Sequence, residues 1–167
     1  ALDVYKRQVL NKWSQIATQG GSKIKISVDH IIKNISSQYR LVHRLDKETS
    51  GLIIIAKNDI AHINLSLQFS QRTIEKTYIA LVADNIVDKD GKISNLIGRD
   101  KKNRKKISEN TSSPRSATTY WKKIRSYNDF TLVEAYPKTG RTHQIRVHMT
   151  SLGHPIIGDK LYFTKNS

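Results

Sequence analysis

The sequence contains no cysteine, only three prolines and only eight glycines. The lack of cysteine excludes disulfides, zinc–thiolate sites and a thiolate nucleophile. Three prolines and eight glycines are too few for a low-complexity or collagen-like chain. No apolar run approaches the roughly 20 residues that a membrane-spanning helix needs, and the first residues lack the apolar core of a secretory signal. We therefore expect a protein of the cytoplasm or of an organelle matrix, without a membrane partner.

Acidic residues are also scarce. Asp and Glu number 14 against 29 Lys and Arg, which gives a net charge of +15. A small domain with this charge repels itself unless a polyanion binds to it. Nucleic acid is the leading partner, because phosphate neutralisation supplies most non-specific affinity. From charge alone, a basic ribosomal protein or a membrane-surface protein remains an alternative.

Periodicity predicts an α+β domain, since strands outnumber helices and follow one another in hairpin order. We predict strands at 52–56, 77–83, 94–98, 116–124 and 130–135, the third of them being a short strand or a turn. A helix is expected over 28–38. A second helix should begin at 58 or 59 and end near 70, with Ile60, Ile63 and Leu67 on one apolar face.

A third helix carries start and stop signals. Thr142 can be its N-cap, and Gly153 fits the position just past its end. The side chains expected on its apolar face are Ile145, His148, Met149 and Leu152. Between the strands, residues 99–106 hold six basic residues and one acidic residue, which predicts a solvated loop.

Asp46 precedes the strand expected at 52–56, and Gly51 can turn the chain into that strand. A carboxylate held at a strand end is well placed for nucleophilic attack or proton transfer. From these residues alone, an Asx turn or a surface ion pair is the commoner explanation for an aspartate.

The residues around Asp46 resemble the signature of the RluA family of pseudouridine synthases, reading His43-Arg44-Leu45-Asp46-x-x-Thr49-Ser50-Gly51. A second block resembles the family's lysine-x-tyrosine strand, reading Glu75-Lys76-Thr77-Tyr78-Ile79-Ala80-Leu81-Val82. A third resembles its last motif, reading Thr139-Gly140-Arg141-Thr142-His143-Gln144-Ile145-Arg146-Val147-His148, with Gly158-Asp159 following. The similarity covers 11–162. Gly20-Gly21 and the basic stretch 98–107 are most similar to the branch that acts on large-subunit ribosomal RNA (RluC-like).

The resemblance implies an RNA pseudouridine synthase with that family's catalytic fold, a mixed and mainly antiparallel sheet with flanking helices. Such an isomerase breaks the N1–C1′ bond of uridine and joins C5 to C1′. Because no atom is gained or lost and no redox change occurs, no cofactor or metal is required. The resemblance makes Asp46 the catalytic residue. Whether it attacks the sugar, adds to the base or removes a proton from C2′ stays open.

The resemblance also implies supporting roles. Arg146 would pair with Asp46 and keep it ionised, and Tyr78 would stack on the target base. Arg44 would fill the stack that the uridine leaves or hold a phosphate. A packed core tyrosine and ordinary ion pairs are the alternatives for these three. RNA contacts are expected from basic and histidine side chains, namely Lys12, Lys76, Lys101, Lys102, Arg104, Lys105, Lys106, Arg141 and His143.

The sequence departs from the family at Trp13 and Gln15, where members usually have Pro and Gly after Asn-Lys. We expect these changes to loosen the loop. Residues 1–8 are expected to be a disordered or non-native end, and 9–167 a monomeric catalytic domain. That domain should lack both the family's C-terminal strands and an N-terminal S4-type RNA-binding domain.

Two other functions fit part of the sequence. A non-catalytic RNA-binding fragment of a synthase would explain the altered loop and the early C-terminus. A metal-dependent nuclease would use Asp46, Asp159 and histidines. His143 and His148 do not share a helix face, and no short metal-ligand signature is present, so we expect no metal site.

Overall fold

The computed structural model describes residues 5–21 and 24–163. The chain forms two compact units, Ala1–Ile74 and Glu75–Ser167. Both combine an antiparallel sheet with helices, so the predicted α+β class is confirmed. No helix among the described residues is long and apolar enough to cross a membrane.

The first unit contains a three-stranded antiparallel sheet. Its strands are β1 (Arg7–Lys12), β2 (Arg40–Leu41) and β3 (Gly51–Ala56), in the order β1-β3-β2. Its helices are α1 (Val28–Ile35) and α2 (Asp59–Ser70). Strand β3 is the apolar, β-branched run that predicted a buried strand, and Ile53 and Ile55 on it are buried.

Helix α2 begins where the sequence predicted, because the Asn58 side chain accepts a hydrogen bond from Ala61 N at 2.9 Å. The prediction of its buried face was wrong. Ile60, Ile63 and Leu67 are 70%, 64% and 52% exposed, whereas the buried residues are Ala61 and Leu65. Apolar residues occur around the whole helix, so periodicity could not single out the stripe that packs inward.

The predicted disordered end at 1–8 is only partly within the described residues, since 1–4 lie outside them. Arg7 and Gln8 belong to β1, where they pair with Ala56 and Ile55 of β3. For these two residues the disordered alternative is corrected, because the edge of β3 gives their backbone a partner, whereas the non-native alternative stays a prediction.

The second unit contains a five-stranded antiparallel sheet in the order β4-β8-β7-β5-β6. Its elements are β4 (Tyr78–Ala83), β5 (Asp90–Arg99), β6 (Ile107–Ser108), β7 (Arg115–Ser126), β8 (Phe130–Pro137) and α3 (Gln144–Ser151). The predicted β7–β8 hairpin is confirmed, and Tyr127 N donates to Phe130 O at 2.8 Å across its turn. The strand or turn expected at 94–98 is part of the longer β5.

Helix α3 ends as predicted but begins differently. Gly153 adopts a φ of 89° just after its last turn, a conformation that suits glycine. Thr142 is not the N-cap. His143 occupies that position with a φ of 54° and makes no side-chain capping bond. On the predicted apolar face, His148 and Met149 are fully buried, while Leu152 is 38% exposed.

Candidate active site

Asp46 lies half-buried in the loop between β2 and β3, and its backbone is fixed on both sides. Before it, Leu45 is buried, and the buried Thr18 hydroxyl donates to Leu45 O at 2.6 Å and accepts from Leu45 N at 3.1 Å. After it, Thr49 N donates to Asp46 O at 3.1 Å and closes a turn. Gly51 then takes a φ of 127° as β3 begins. The loop therefore presents Asp46 from a defined backbone.

Lys12, the last residue of β1, connects this loop to residues 13–16 through hydrogen bonds of its ammonium. It is only 2% exposed, and its ammonium donates to the carbonyls of Trp13 at 3.0 Å, Ile16 at 2.8 Å and Lys47 at 3.2 Å. Burial lowers the pKa of Lys12, while the charges of Asp46 and Glu48 act in the opposite direction.

These contacts correct the prediction that Lys12 contacts RNA. A buried ammonium bound to three carbonyls is not available to phosphates. Its role is to hold these carbonyls in place, and we call it the Lys12 brace. Sequence reasoning missed this because a lysine at the end of a strand is usually exposed.

Residues 13–15 were expected to be loose, but they are tied to the Asp46 loop. Ser14 Oγ donates to Glu48 O at 2.8 Å, and Gln15 Nε2 donates to the Glu48 carboxylate. Gln15 takes a φ of 73°, the left-handed conformation that the family's usual glycine would adopt without strain. The loop keeps its shape at the cost of a strained Gln15.

Two neighbours of Asp46 have separate partners. The Arg44 side chain is exposed, and its Nη1 donates to Gln19 Oε1 at 3.0 Å. The His43 ring stacks on Phe69 with 4.7 Å between centroids, and its Nε2 accepts from Ile54 N at 2.9 Å. In the neutral ring the proton is therefore assigned to Nδ1.

In the second unit, Arg146 on α3 forms a bidentate ion pair with Asp159. Nε lies 2.6 Å from Oδ2 and Nη2 lies 2.9 Å from Oδ1, and the two side chains are 16% and 5% exposed. The guanidinium carbon lies 4.9 Å from the centre of the Tyr162 ring. Burial raises the pKa of Asp159, but hydrogen bonds from Arg146 and from the backbone N–H groups of Leu161 and Tyr162 outweigh it and hold the pKa low.

Tyr162 connects this pair to the sheet. Its hydroxyl accepts from Ile107 N at 2.8 Å and donates to Ile107 O at 3.1 Å, and it lies 2.9 Å from His143 Nδ1. Because the hydroxyl has only one proton, these contacts assign a proton to His143 Nδ1. His143, which was predicted to contact RNA, thus forms a hydrogen bond through Nδ1 to the buried Tyr162.

A buried polar network anchors α3 to β7. Gln144 Nε2 donates to Thr119 Oγ1 at 2.9 Å, and its Oε1 accepts from Thr139 Oγ1 at 2.6 Å and from Arg141 N at 3.0 Å. His148 Nδ1 lies 2.9 Å from the same Thr119 hydroxyl. Burial lowers the pKa of His148 to about 4, so the ring is neutral at neutral pH.

The predicted basic loop is built around Asp100. Its Oδ1 accepts from Lys102 N at 2.8 Å and Asn103 N at 2.7 Å, and its Oδ2 accepts from Ser108 Oγ at 2.6 Å. The Ser108 hydrogen bond is the largest influence that lowers the pKa of Asp100, followed by the two backbone bonds. A cavity of about 430 Å³ is lined by Arg99, Asp100, Lys101, Arg104, Ser112 and Ser113.

The other predicted RNA-binding side chains differ in exposure. Four of the loop side chains are exposed, namely Lys101, Lys102, Arg104 and Lys105. Lys106 is half-buried, with its ammonium 5.7 Å from the Tyr162 ring centre. Arg141 Nε donates to Ser116 O at 3.0 Å, and Lys76 is half-buried.

Tyr78 is the first residue of β4, half-buried and paired with Ala135 of β8. Tyr78 and Arg146 belong to the second unit, whereas Asp46 and Arg44 belong to the first. Their predicted cooperation at one reaction centre stays a prediction. Within 5–21 and 24–163, no group of three or more His, Asp or Glu side chains could hold a metal ion.

Known proteins match most of the chain. Residues 8–151 match the family described as RNA pseudouridylate synthase. The chain is 44% identical over 158 residues to "Ribosomal large subunit pseudouridine synthase C" of Rickettsia bellii, covering 92% of this chain and 52% of that protein. It is 47% identical over 122 residues to "Uncharacterized RNA pseudouridine synthase YlyB" of Bacillus subtilis, covering 73% of this chain and 40% of that protein.

A solved structure supports the same relationship. The "Human RNA Pseudouridylate Synthase Domain Containing 1" aligns with a TM-score of 0.81 at 27% identity, covering 96% of this chain and 67% of that one. The chain spans about half the length of the curated Rickettsia relative that it matches. The matched region contains the first two sequence blocks and residues 139–148 of the third, whereas Gly158-Asp159 lies outside it. The chain therefore belongs to the RNA pseudouridylate synthase family, and within it to the RluA family that the three blocks predicted.

Proposed function

We propose that this protein converts uridines in large-subunit ribosomal RNA to pseudouridine, with Asp46 as the catalytic carboxylate. The observation that carries the proposal is the construction of the Asp46 loop. Its backbone is fixed by Thr18 before Asp46 and by the turn to Thr49 after it. A carboxylate presented from a fixed backbone needs little reorganisation to reach a reacting atom.

The reaction needs a single carboxylate and no net change in atoms. The N1–C1′ bond breaks, the base turns, and C5 bonds to C1′ as the C5 proton leaves. Asp46 is proposed to act on the sugar or on the base while this occurs. Lys12 supports the site indirectly, because its buried ammonium binds Lys47 O in the Asp46 loop and Trp13 O in the 13–15 loop.

Ribosomal RNA is proposed as the substrate on two grounds. The curated Rickettsia relatives that match 92% and 93% of the chain are named for the ribosomal large subunit. The net charge of +15 also suits a highly folded polyanion. We propose that the exposed side chains of the basic loop contact phosphates and position the RNA without reading its sequence.

The supporting roles implied by the family motifs complete the proposal. The exposed Arg44 guanidinium is proposed to fill the stack that the target uridine leaves. Tyr78 is proposed to stack on the extruded base and Arg146 to keep the reacting carboxylate ionised. The Asp159 pair supports the role of Arg146, because it fixes the guanidinium in one orientation.

Tritium release from ribosomal RNA that carries 5-tritiated uridine tests the proposal, since the C5 hydrogen leaves only if C5 forms the new bond. The wild-type protein should release tritium, and Asp46→Asn should slow release roughly 10²- to 10⁴-fold. Asp59→Asn makes the same chemical change at an exposed helix position and should leave the rate unchanged. Equal rates for Asp46→Asn and Asp59→Asn would remove Asp46 from the reaction.

A further inference from the structure

We propose that Trp13 is an RNA-binding residue whose indole stacks on an unpaired nucleobase beside the Asp46 loop. The inference rests on the proposed function in taking RNA as the ligand and Asp46 as the point to which the RNA delivers a uridine. It adds a contact at a position where the family motifs assign none.

The exposure of Trp13 is the first observation. The protein has two tryptophans, of which Trp121 is 3% exposed in the core and Trp13 is 75% exposed. Tryptophan is among the most buried residues on average, because its ring has a large apolar area. The exposed indole therefore offers a large apolar ring face to a ligand.

The second observation is that the backbone on both sides of the indole is held. The Lys12 ammonium binds Trp13 O at 3.0 Å, and Ser14 Oγ donates to Glu48 O at 2.8 Å. Gln15 is fixed in the left-handed conformation and bonded to the Glu48 carboxylate. The ring is thus presented from an ordered loop, so stacking on it costs less conformational entropy than stacking on a free segment would.

The third observation is the position of this loop. The same ammonium that binds Trp13 O also binds Lys47 O, the residue directly after Asp46. RNA that delivers a uridine to Asp46 must therefore pass close to the 13–15 loop. Folded RNA is recognised chiefly through unpaired bases splayed onto aromatic side chains. Since every base has a π-face, this contact tolerates any base at the stacked position.

A binding comparison with and without bases tests the proposal. The probes are a single-stranded oligouridylate and the same strand with abasic sites, which keeps the phosphates but removes the stacking partner. All proteins carry Asp46→Asn, so that no chemistry alters the RNA. Trp13→Ala should weaken binding to the oligouridylate about 5- to 100-fold and leave binding to the abasic strand unchanged. Trp13→Phe should retain most of the affinity.

Tyr127→Ala provides the matched control, because Tyr127 is an exposed aromatic in the β7–β8 turn. It should show no loss that depends on the presence of bases. Equal losses for Trp13→Ala on both strands, or the same base-dependent loss for Tyr127→Ala, would overturn the proposal.

Tryptophan fluorescence gives a second readout that does not depend on catalysis. Acrylamide should quench most of the Trp13 emission in the free protein, and oligouridylate should protect it, whereas Trp13→Phe should show neither change. Emission that acrylamide cannot reach before RNA is added would show that another group covers Trp13, and would reject the inference. Failure of this test leaves tritium release by the wild-type protein unaffected, so the two proposals fail separately.

Discussion

Asp46 and Asp159 are held in contrasting ways. Around Asp46 the loop backbone is held by other residues: Thr18 binds the backbone of Leu45, and Lys12 binds the carbonyl of Lys47. At Asp159 the carboxylate itself makes the contacts, with two bonds to Arg146 and two to backbone N–H groups. The Asp46 loop is thus held by Thr18 and Lys12, whereas the Asp159 carboxylate itself binds the surrounding residues.

This difference suggests that Asp159 stabilises the fold and that Asp46 is the residue suited to react. An aspartate whose carboxylate organises the fold cannot leave its partners during a reaction without loss of structure. A carboxylate carried on a loop that others hold can change its bonding while the backbone stays in place. We therefore expect substitutions at Asp159 to affect mainly stability and those at Asp46 to affect mainly activity.

Breaking the Asp159 pair should have the largest effect on stability. Asp159→Asn removes the negative charge that accepts two hydrogen bonds from the largely buried Arg146 guanidinium, which should lower the free energy of unfolding by about 2–3 kcal/mol. Urea denaturation of the variant beside Asp59→Asn, an exposed carboxylate, measures the difference. Equal midpoints for the two variants would show that Asp159 does not organise the second unit.

Removing the Lys12 ammonium should have the next largest effect. Lys12→Met keeps the length of the side chain but leaves three carbonyls without their donor, at a cost of about 1–3 kcal/mol. The matched control is Lys33→Met, which removes an exposed ammonium that pairs with Asp29 in its own helix. Hydrogen exchange should show faster opening of 13–16 and 45–49 in Lys12→Met alone. Unchanged protection of these segments would contradict the claim that the Lys12 ammonium holds them in place.

His148 should make the second unit sensitive to acid. The folded pKa of about 4 lies below the ordinary 6.5, so the unfolded state binds the proton first as pH falls. Stability from this group is complete above pH 6.5 and is lost on the way down to about pH 4. The slope approaches about 1.4 kcal/mol per pH unit between these limits. Denaturation at several pH values should show this slope in the wild-type protein and a flatter one in His148→Asn.

Substitutions at Gln15 should have the smallest effect on stability, and they test whether the 13–15 loop is strained. Gln15→Gly relieves the strain of a φ of 73°, whereas Gln15→Ala keeps the strain, and both lose the bond to Glu48. The glycine variant should therefore be more stable than the alanine variant by about 1 kcal/mol. Denaturant midpoints compare the two, and a less stable glycine variant would mean that the left-handed conformation costs nothing here.

Much of the fold could be predicted because its signals are local. The β-branched run of β3, the Asn58 cap of α2 and the paired β7 and β8 each depend on residues close in sequence. Thr142 was wrongly predicted as a cap: α3 begins at Gln144 after His143 in the left-handed conformation, and the Gln144 side chain bonds to Thr119, which is distant in sequence. Which stripe of α2 packs inward was likewise decided by tertiary contacts.

The candidate site shows the same division. Asp46 was predictable because the family motif surrounds it in sequence. Thr18 lies 27 residues from Leu45, and Lys12 lies 35 residues from Lys47, so no local pattern connects them to the backbone atoms that they bind in the Asp46 loop. Asp159 was visible only as part of the third block, and its bidentate pairing with Arg146 required the structure.

The most direct test of the central claim is the tritium-release rate of Asp46→Asn per folded molecule, with Asp159→Asn measured under the same conditions. We predict that Asp46→Asn loses less stability than Asp159→Asn and yet loses release roughly 10²- to 10⁴-fold. Release by Asp46→Asn at the wild-type rate would contradict the account. So would a loss of release explained wholly by unfolding of that variant.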